Sequence, residues 1–146
     1  MRRKLPIVSI DEILAGIPDT EEVRLDVLET RAHNISLFEV FCLAAITRKF
    51  APSVALEIGT YDGRSTMALA HNMSKVYTVN LGPDYIDRHP NQAWRIDVQL
   101  SRKVLSGERV LAPEKERIVQ IFSDSTKLDF SQFGVVDFSN RRWSRL

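Results

Sequence analysis

The chain has 146 residues, with 20 Lys or Arg against 19 Asp or Glu, which gives a formal net charge of +1 at pH 7. A chain of this length is expected to form one domain that buries about two thirds of its unfolded surface. Affinity for phosphate groups depends on many clustered basic side chains, so the near-neutral charge argues against a dedicated nucleic-acid or acidic-membrane binder. The expected partners are small molecules or proteins.

The cysteine content and the first residues predict a cytoplasmic protein. Cys42 is the single cysteine of the sequence and cannot form an internal disulfide, which fits a reducing compartment. Asp11 and Glu12 follow the basic start before a signal-peptide core could form. The longest apolar stretch, from Leu37 to Ile46, contains Glu39 and is shorter than the about 20 residues that span a bilayer.

The first third of the chain is predicted to be helical. Two pairs have the spacing of a capping box, which marks a helix start: Ser9 with Glu12, and Ser36 with Glu39. The first helix is short because Gly16 and Pro18 end it, and a further helix is predicted over residues 19–31. The helix after Ser36 is apolar on nearly every side as far as Lys49, so we expect it to be buried.

The stretch from Val54 to Ala70 predicts a strand, a glycine turn and a helix. An apolar run is followed, after the turn, by apolar residues at helical spacing. Gly59 and Gly63 bracket the turn, and glycine tolerates positive φ and lets a ligand approach the backbone. Ser65 and Thr66 open the helix, where their hydroxyls can cap free amide groups. Such a turn indicates a binding site for a polar small molecule.

The spacing of the turn narrows the choice of ligand. A dinucleotide site has the pattern Gly-x-Gly-x-x-Gly, whereas this chain has Glu57, Gly59 and Gly63. The string Leu-Glu-Ile-Gly-Thr-x-x-Gly-Arg-Ser-Thr resembles motif I of the class I S-adenosylmethionine-dependent methyltransferases, and more narrowly that of a group that methylates small molecules. The resemblance covers roughly residues 36–138. An ordinary tight turn without a ligand is the alternative.

The second strand is predicted from Lys75 to Asn80, where β-forming side chains alternate. A doubly wound fold places an acceptor for the ribose hydroxyls at the end of this strand. Asn80 stands where the methyltransferases that this chain resembles usually have an acid, and an amide oxygen accepts less than a carboxylate does. Asp84 could compensate, although a turn-forming Asp after Pro83 is the simpler interpretation.

A crossover helix is expected over residues 87–106, and a third strand from Arg117 to Phe122. A Ser-Asp-Ser sequence follows this strand. The resemblance implies that Asp124 and Ser125 contact the adenine of the cofactor. A cap for the following turn is the alternative role for Asp124.

The resemblance ends near Phe138. The fourth strand is expected to begin at Val135, and Asp137 matches the acid at the mouth of the site in the methyltransferases. Those proteins continue with apolar residues and an Asp-Gly pair, whereas residues 139–146 of this chain are polar and show no strand character. The sequence is therefore interpreted as C-terminally truncated, with a helical cap over 1–52, a cofactor-binding half over 53–138 and a polar tail over 139–146.

The predicted fold is α/β: a truncated, Rossmann-like, doubly wound parallel sheet of strand order 3-2-1-4, with helices on both faces and an N-terminal helical cap. The resemblance implies methyl transfer from S-adenosylmethionine to a small-molecule acceptor, by an enzyme or an inactive remnant of one. It implies these cofactor-site residues: Glu57, Gly59, Thr60, Tyr61, Gly63, Ser65, Asn80, Asp124, Ser125 and Asp137. No catalytic residue or metal ligand is predicted. The alternative is a non-catalytic protein that binds S-adenosylmethionine, or that pairs with a second copy through the open edge of the fourth strand.

Overall fold

The computed structural model describes residues 9–15, 25, 35–51, 53–81, 88 and 112–141. Within them the helices are α1 (Ile10–Leu14), α2 (Leu37–Phe50), α3 (Arg64–Ala70) and α4 (Ala112–Lys115). The strands are β1 (Val54–Ile58), β2 (Lys75–Asn80), β3 (Ile118–Phe122) and β4 (Phe138–Arg141), and a 3-10 turn, Phe130–Phe133, precedes β4. Of the helices predicted over 19–31 and 87–106, only Leu25, which is not helical, and Arg88, which is helical, are among the described residues. Asp84 lies outside them.

The described strands form one parallel sheet in the order β3-β2-β1-β4, as predicted. Parallel strands begin at one edge of the sheet and end at the other. We call the side where the strands begin the amino edge and the side where they end the carboxyl edge. Neither is the lateral edge that an outermost strand forms. The register places Glu57 of β1 beside Thr78 of β2, and Asn80 of β2 beside Phe122 of β3. β4 is the outermost described strand on its side, and its pairing with a second copy stays a prediction.

Apolar side chains cover both faces of the sheet. Because side chains alternate along a strand, one face packs against α3 and the residues that follow it. Its buried cluster consists of Ala55, Met67, Leu69, Ala70, Met73, Val76 and Ile118. On the other face Leu56 and Val79 pack with Phe133 of the 3-10 turn, whose ring centroid lies 4.9 Å from that of Tyr77. β1, the strand before the predicted glycine turn, therefore packs against apolar side chains on both of its faces.

Both predicted capping boxes are present, at Ser9 and at Ser36. α2 packs against α3 and is not buried on every side, so that expectation is wrong. Phe38 and Phe50 of α2 are 61% and 66% exposed, because the part of a helix surface that no neighbour covers stays in contact with water. No helix among the described residues is long and apolar enough to cross a membrane.

The fourth strand begins later than predicted. β4 starts at Phe138, so Val135 precedes it and is 82% exposed. The expectation that the residues after Phe138 lack strand character is also wrong, since β4 continues to Arg141. Asp137 sets this start: its Oδ2 accepts from the backbone amides of Ser53 at 2.9 Å and Val54 at 3.0 Å. These contacts join the beginning of β4 to the beginning of β1.

Replacing Asp137 by Ala should lower the free energy of unfolding by about 1 kcal/mol, because two backbone amides lose a charged acceptor near the surface. Urea denaturation measures the loss. Asp129→Ala is the matched control, since the Asp129 carboxylate accepts from the amide of Ser131, two residues away. No measurable loss in Asp137→Ala would contradict the role of Asp137 in joining β1 and β4.

Candidate functional site

A strained turn connects β1 to α3 at the carboxyl edge. Gly59 has φ of 100° and Gly63 has φ of 80°, which supports the prediction that glycine is needed at both positions. Tyr61 between them has φ of 49°, an uncommon value for a residue with a side chain. The Gly63 amide donates to the Thr60 carbonyl at 2.9 Å, and the Gly59 amide donates to the Val79 carbonyl at 2.8 Å. The turn is therefore closed on itself and attached to the end of β2.

The carboxylate of Glu57 lies beneath this turn and is fully buried. Its Oε1 accepts from the hydroxyl of Ser65, and its Oε2 accepts from the hydroxyl of Thr66. The hydroxyl of Thr78 also donates to Oε2, at 2.8 Å. A buried carboxylate is costly unless hydrogen bonds replace its hydration, and three hydroxyl donors do so here. We call Glu57 with Ser65, Thr66 and Thr78 the hydroxyl cage.

The hydroxyl cage changes the roles expected for the first residues of α3. Gly63 is the N-cap of this helix and has no side chain of its own to cap it. The hydroxyls of Ser65 and Thr66 instead donate to Glu57, so the expectation that they cap free amide groups is wrong. Ser65 and Thr66 are the second and third residues of α3 rather than its N-cap, and their hydroxyls point back to the buried carboxylate of Glu57.

Thr78 is a member of the site that the sequence did not single out. It is fully buried, and its Oγ1 lies 2.7 Å from Oγ1 of Thr60 in the turn. The sequence does show a polar residue, Thr78, among the apolar residues of β2. Recognising that it lies on the same face of the sheet as Glu57 requires the register between β1 and β2, and periodicity alone does not give this register.

Two charged side chains of the turn are buried as well. Asp62 is 4% exposed and Arg64 is 1% exposed. Oδ1 of Asp62 accepts from the Arg64 amide at 3.4 Å, and Nη1 of Arg64 donates to the carbonyl of Ile35 at 3.3 Å. The second bond ties the turn to the residue just before the N-cap of α2. Neither residue was predicted to belong to the site.

The ends of β2 and β3 lie beside the turn. The Ser123 amide donates to the carbonyl of Asn80 at 2.8 Å, which brings Asp124 and Ser125 close to the end of β2. Oδ1 of Asp124 accepts from the amide and from the hydroxyl of Thr126, at 3.0 Å and 2.7 Å. Asp124 therefore makes the turn-capping contacts of the alternative interpretation. Its Oδ2 lies 3.7 Å from Nζ of Lys127.

Asp137 does not lie with these residues. Its bonds to the start of β1 place it at the amino edge, so the expectation of an acid at the mouth of the site is wrong for this residue. The turn, Asn80, Asp124 and Ser125 share the carboxyl edge. Within the described residues, no group of three or more His, Cys, Asp or Glu side chains is arranged to hold a metal ion.

Comparison with known proteins gives partial likenesses. No family model matches the sequence, and no curated protein matches it. A crystal structure from Klebsiella pneumoniae, described as an O-methyltransferase, is 22% identical with a TM-score of 0.48, over 66% of this chain and 38% of that one. The methyltransferase domain of bacterial CtHen1-CN is 12% identical with a TM-score of 0.48, over 70% of this chain and 47% of that one. This chain thus spans less than half of either protein.

The contacts of Asp124 predict a pH dependence. The Thr126 hydroxyl, and then its amide, hold the pKa of Asp124 below its ordinary value of 3.8. A lowered pKa means that these bonds stabilise the fold above pH 3.8, and that this stabilisation is lost as the pH falls through the pKa of the folded protein. Thr126→Val should raise the pKa of Asp124, as measured by carboxyl-detected NMR titration.

Asp129 is the internal control in that titration, because the side chain and amide of Ser131 lower its pKa independently of Thr126. An Asp124 pKa that does not rise in Thr126→Val, or that rises only together with the pKa of Asp129, would contradict the assignment.

Proposed function

We propose that this chain acts as an S-adenosylmethionine-dependent methyltransferase, or as part of one, and that it binds the cofactor at the carboxyl edge of its sheet. One observation carries the proposal. The turn after β1 holds Gly59 and Gly63 at positive φ and is bonded to the end of β2. Ligands of open parallel α/β sheets bind outside the carboxyl ends of the strands.

Three groups of residues at the carboxyl edge would each meet one part of the cofactor. Backbone groups from Gly59 to Gly63 would meet its methionine and ribose portion, since the side chain of Thr60 is turned toward Thr78. The amide of Asn80, half-buried at the end of β2, would meet the ribose hydroxyls. Oδ2 of Asp124, with Ser125, would face the adenine amino group.

Bound S-adenosylmethionine would supply an activated methyl group. The contribution of the protein would then be to hold cofactor and acceptor in line, which can account for a large part of the rate of such a transfer. The same proposal includes a small-molecule acceptor, which the resemblance of the turn sequence implies, and a cytoplasmic location, which the single cysteine and the first residues predict.

The alternative function is a non-catalytic protein that binds the same cofactor. Methyl transfer from radiolabelled S-adenosylmethionine to a panel of small hydroxyl and amine acceptors distinguishes the two functions. Transfer to any acceptor above the no-protein control supports the enzyme, whereas binding without transfer supports the alternative.

The chain should bind S-adenosylhomocysteine in calorimetric titration, and Gly59→Val should abolish this binding. A valine at that positive φ is strained, by about 1–3 kcal/mol, and its side chain intrudes where the ligand meets the backbone. Gly134→Val is the matched control. Gly134 also has positive φ, of 65°, but open space surrounds the position of an added Cβ. Heat from NADH but none from S-adenosylhomocysteine, or equal binding by both variants, would contradict the proposed site.

Asn80→Asp should tighten the binding of S-adenosylhomocysteine. A carboxylate would accept from ribose hydroxyls through charge-assisted bonds, each worth about 1.5–3 kcal/mol at most. Asn72→Asp is the control, because it adds the same charge just after α3, before β2 begins. Unchanged affinity in Asn80→Asp, or equal tightening in both variants, would show that Asn80 does not meet the ribose.

A further inference from the structure

The hydroxyl of Thr78 connects the hydroxyl cage to the turn. It donates to Oε2 of Glu57 at 2.8 Å and lies 2.7 Å from the hydroxyl of Thr60. All three side chains are buried, with exposures of 0% for Glu57 and Thr78 and 1% for Thr60. A threonine hydroxyl has one proton and can both donate and accept.

This count of protons fixes the direction of the chain of hydrogen bonds. Because the proton of Thr78 goes to Glu57, the bond between the two threonines must be donated by Thr60. The sequence of donation is therefore Thr60 to Thr78 to Glu57. Bonds that are linked in this way polarise and strengthen one another in a buried environment.

The consequence for the turn is that its second residue is held from inside the protein. The carbonyl of Thr60 accepts from the amide of Gly63 at 2.9 Å, which closes the turn. The proton of the Thr60 hydroxyl is used by Thr78, and those of Ser65 and Thr66 are used by Glu57. None of these three hydroxyls has a proton left for a ligand.

We propose that Thr78 is a positioning residue, which holds Thr60 and thereby keeps the turn from Gly59 to Gly63 in its ligand-ready conformation. This inference rests on the proposed function in taking the turn as the cofactor site. It adds that the turn is ordered by a strand residue that does not itself touch the cofactor.

The first experiment uses the protein without ligand, so that it does not depend on the proposed function. The hydrogen exchange rate of the Gly63 amide is measured in the wild type and in Thr78→Val, Thr78→Ser and Thr47→Val. The conditions are chosen so that all four proteins have the same free energy of unfolding. Thr47 is the matched control. Its hydroxyl is also buried, but its described bonds lie within α2, to the carbonyls of Leu43 and Ala44.

Exchange at Gly63 should rise about tenfold in Thr78→Val, because this change removes the hydrogen bond that the Thr60 hydroxyl donates to Thr78. It should stay near the wild-type rate in Thr78→Ser, which keeps the hydroxyl, and in Thr47→Val. Unchanged exchange in Thr78→Val, or an equal rise in Thr47→Val, would overturn the proposal. If Thr78→Val does not fold, Thr60→Val removes the same bond from the other side and must give the same rise.

The second experiment is calorimetric titration of the same variants with S-adenosylhomocysteine. Affinity should fall about tenfold in Thr78→Val and recover in Thr78→Ser, with Thr47→Val unchanged. A wild type that does not bind this ligand contradicts the proposed function, while the exchange result still decides the role of Thr78. Binding by Thr78→Val at wild-type affinity would overturn the positioning role for the cofactor.

Discussion

The buried carboxylate of Glu57 is the constraint on which the rest of the carboxyl edge depends. A charge removed from water must be satisfied by hydrogen bonds or the fold loses stability. Its donors come from two other elements, Ser65 and Thr66 of α3 and Thr78 of β2. All three hydroxyl donors reach Glu57 only when β1, β2 and α3 are packed together. The turn between β1 and α3 is then fixed at both ends before any ligand binds.

The two edges of the sheet use polar side chains differently. At the amino edge they join segments far apart in the chain. Asp137 links β4 to β1, Nδ1 of His71 lies 3.1 Å from Oε1 of Glu114, and Arg117 donates to the carbonyl of Ala70 at 3.1 Å. These contacts stabilise the amino edge. Gly59 and Gly63, both at positive φ, and the side chain of Asn80 lie at the carboxyl edge, which is why we propose the ligand site there.

The sequence predicted those parts of the fold that depend on neighbouring residues. β1 begins at Val54 and β2 runs from Lys75 to Asn80, as predicted, because each is a short β-forming run that a Gly or an Asn ends. The start of β4 could not be predicted in this way, since the bond from the Ser53 amide to Asp137 joins residues 84 positions apart. The same holds within the site. Spacing identified the glycines, but only the register of β1 and β2 places Thr78 beside Glu57.

Tyr61 shows what the internal bonds of the turn achieve. A non-glycine residue at φ of 49° costs of order 1–3 kcal/mol, and such a residue persists only where its surroundings determine its conformation. Tyr61 is 9% exposed and lies between Thr60, held by Thr78, and Asp62, whose carboxylate accepts from the backbone of α3. The strain is thus offset by bonds on both sides. A turn ordered in this way loses little entropy on binding, and catalysis that depends on alignment needs a site whose geometry is set in advance.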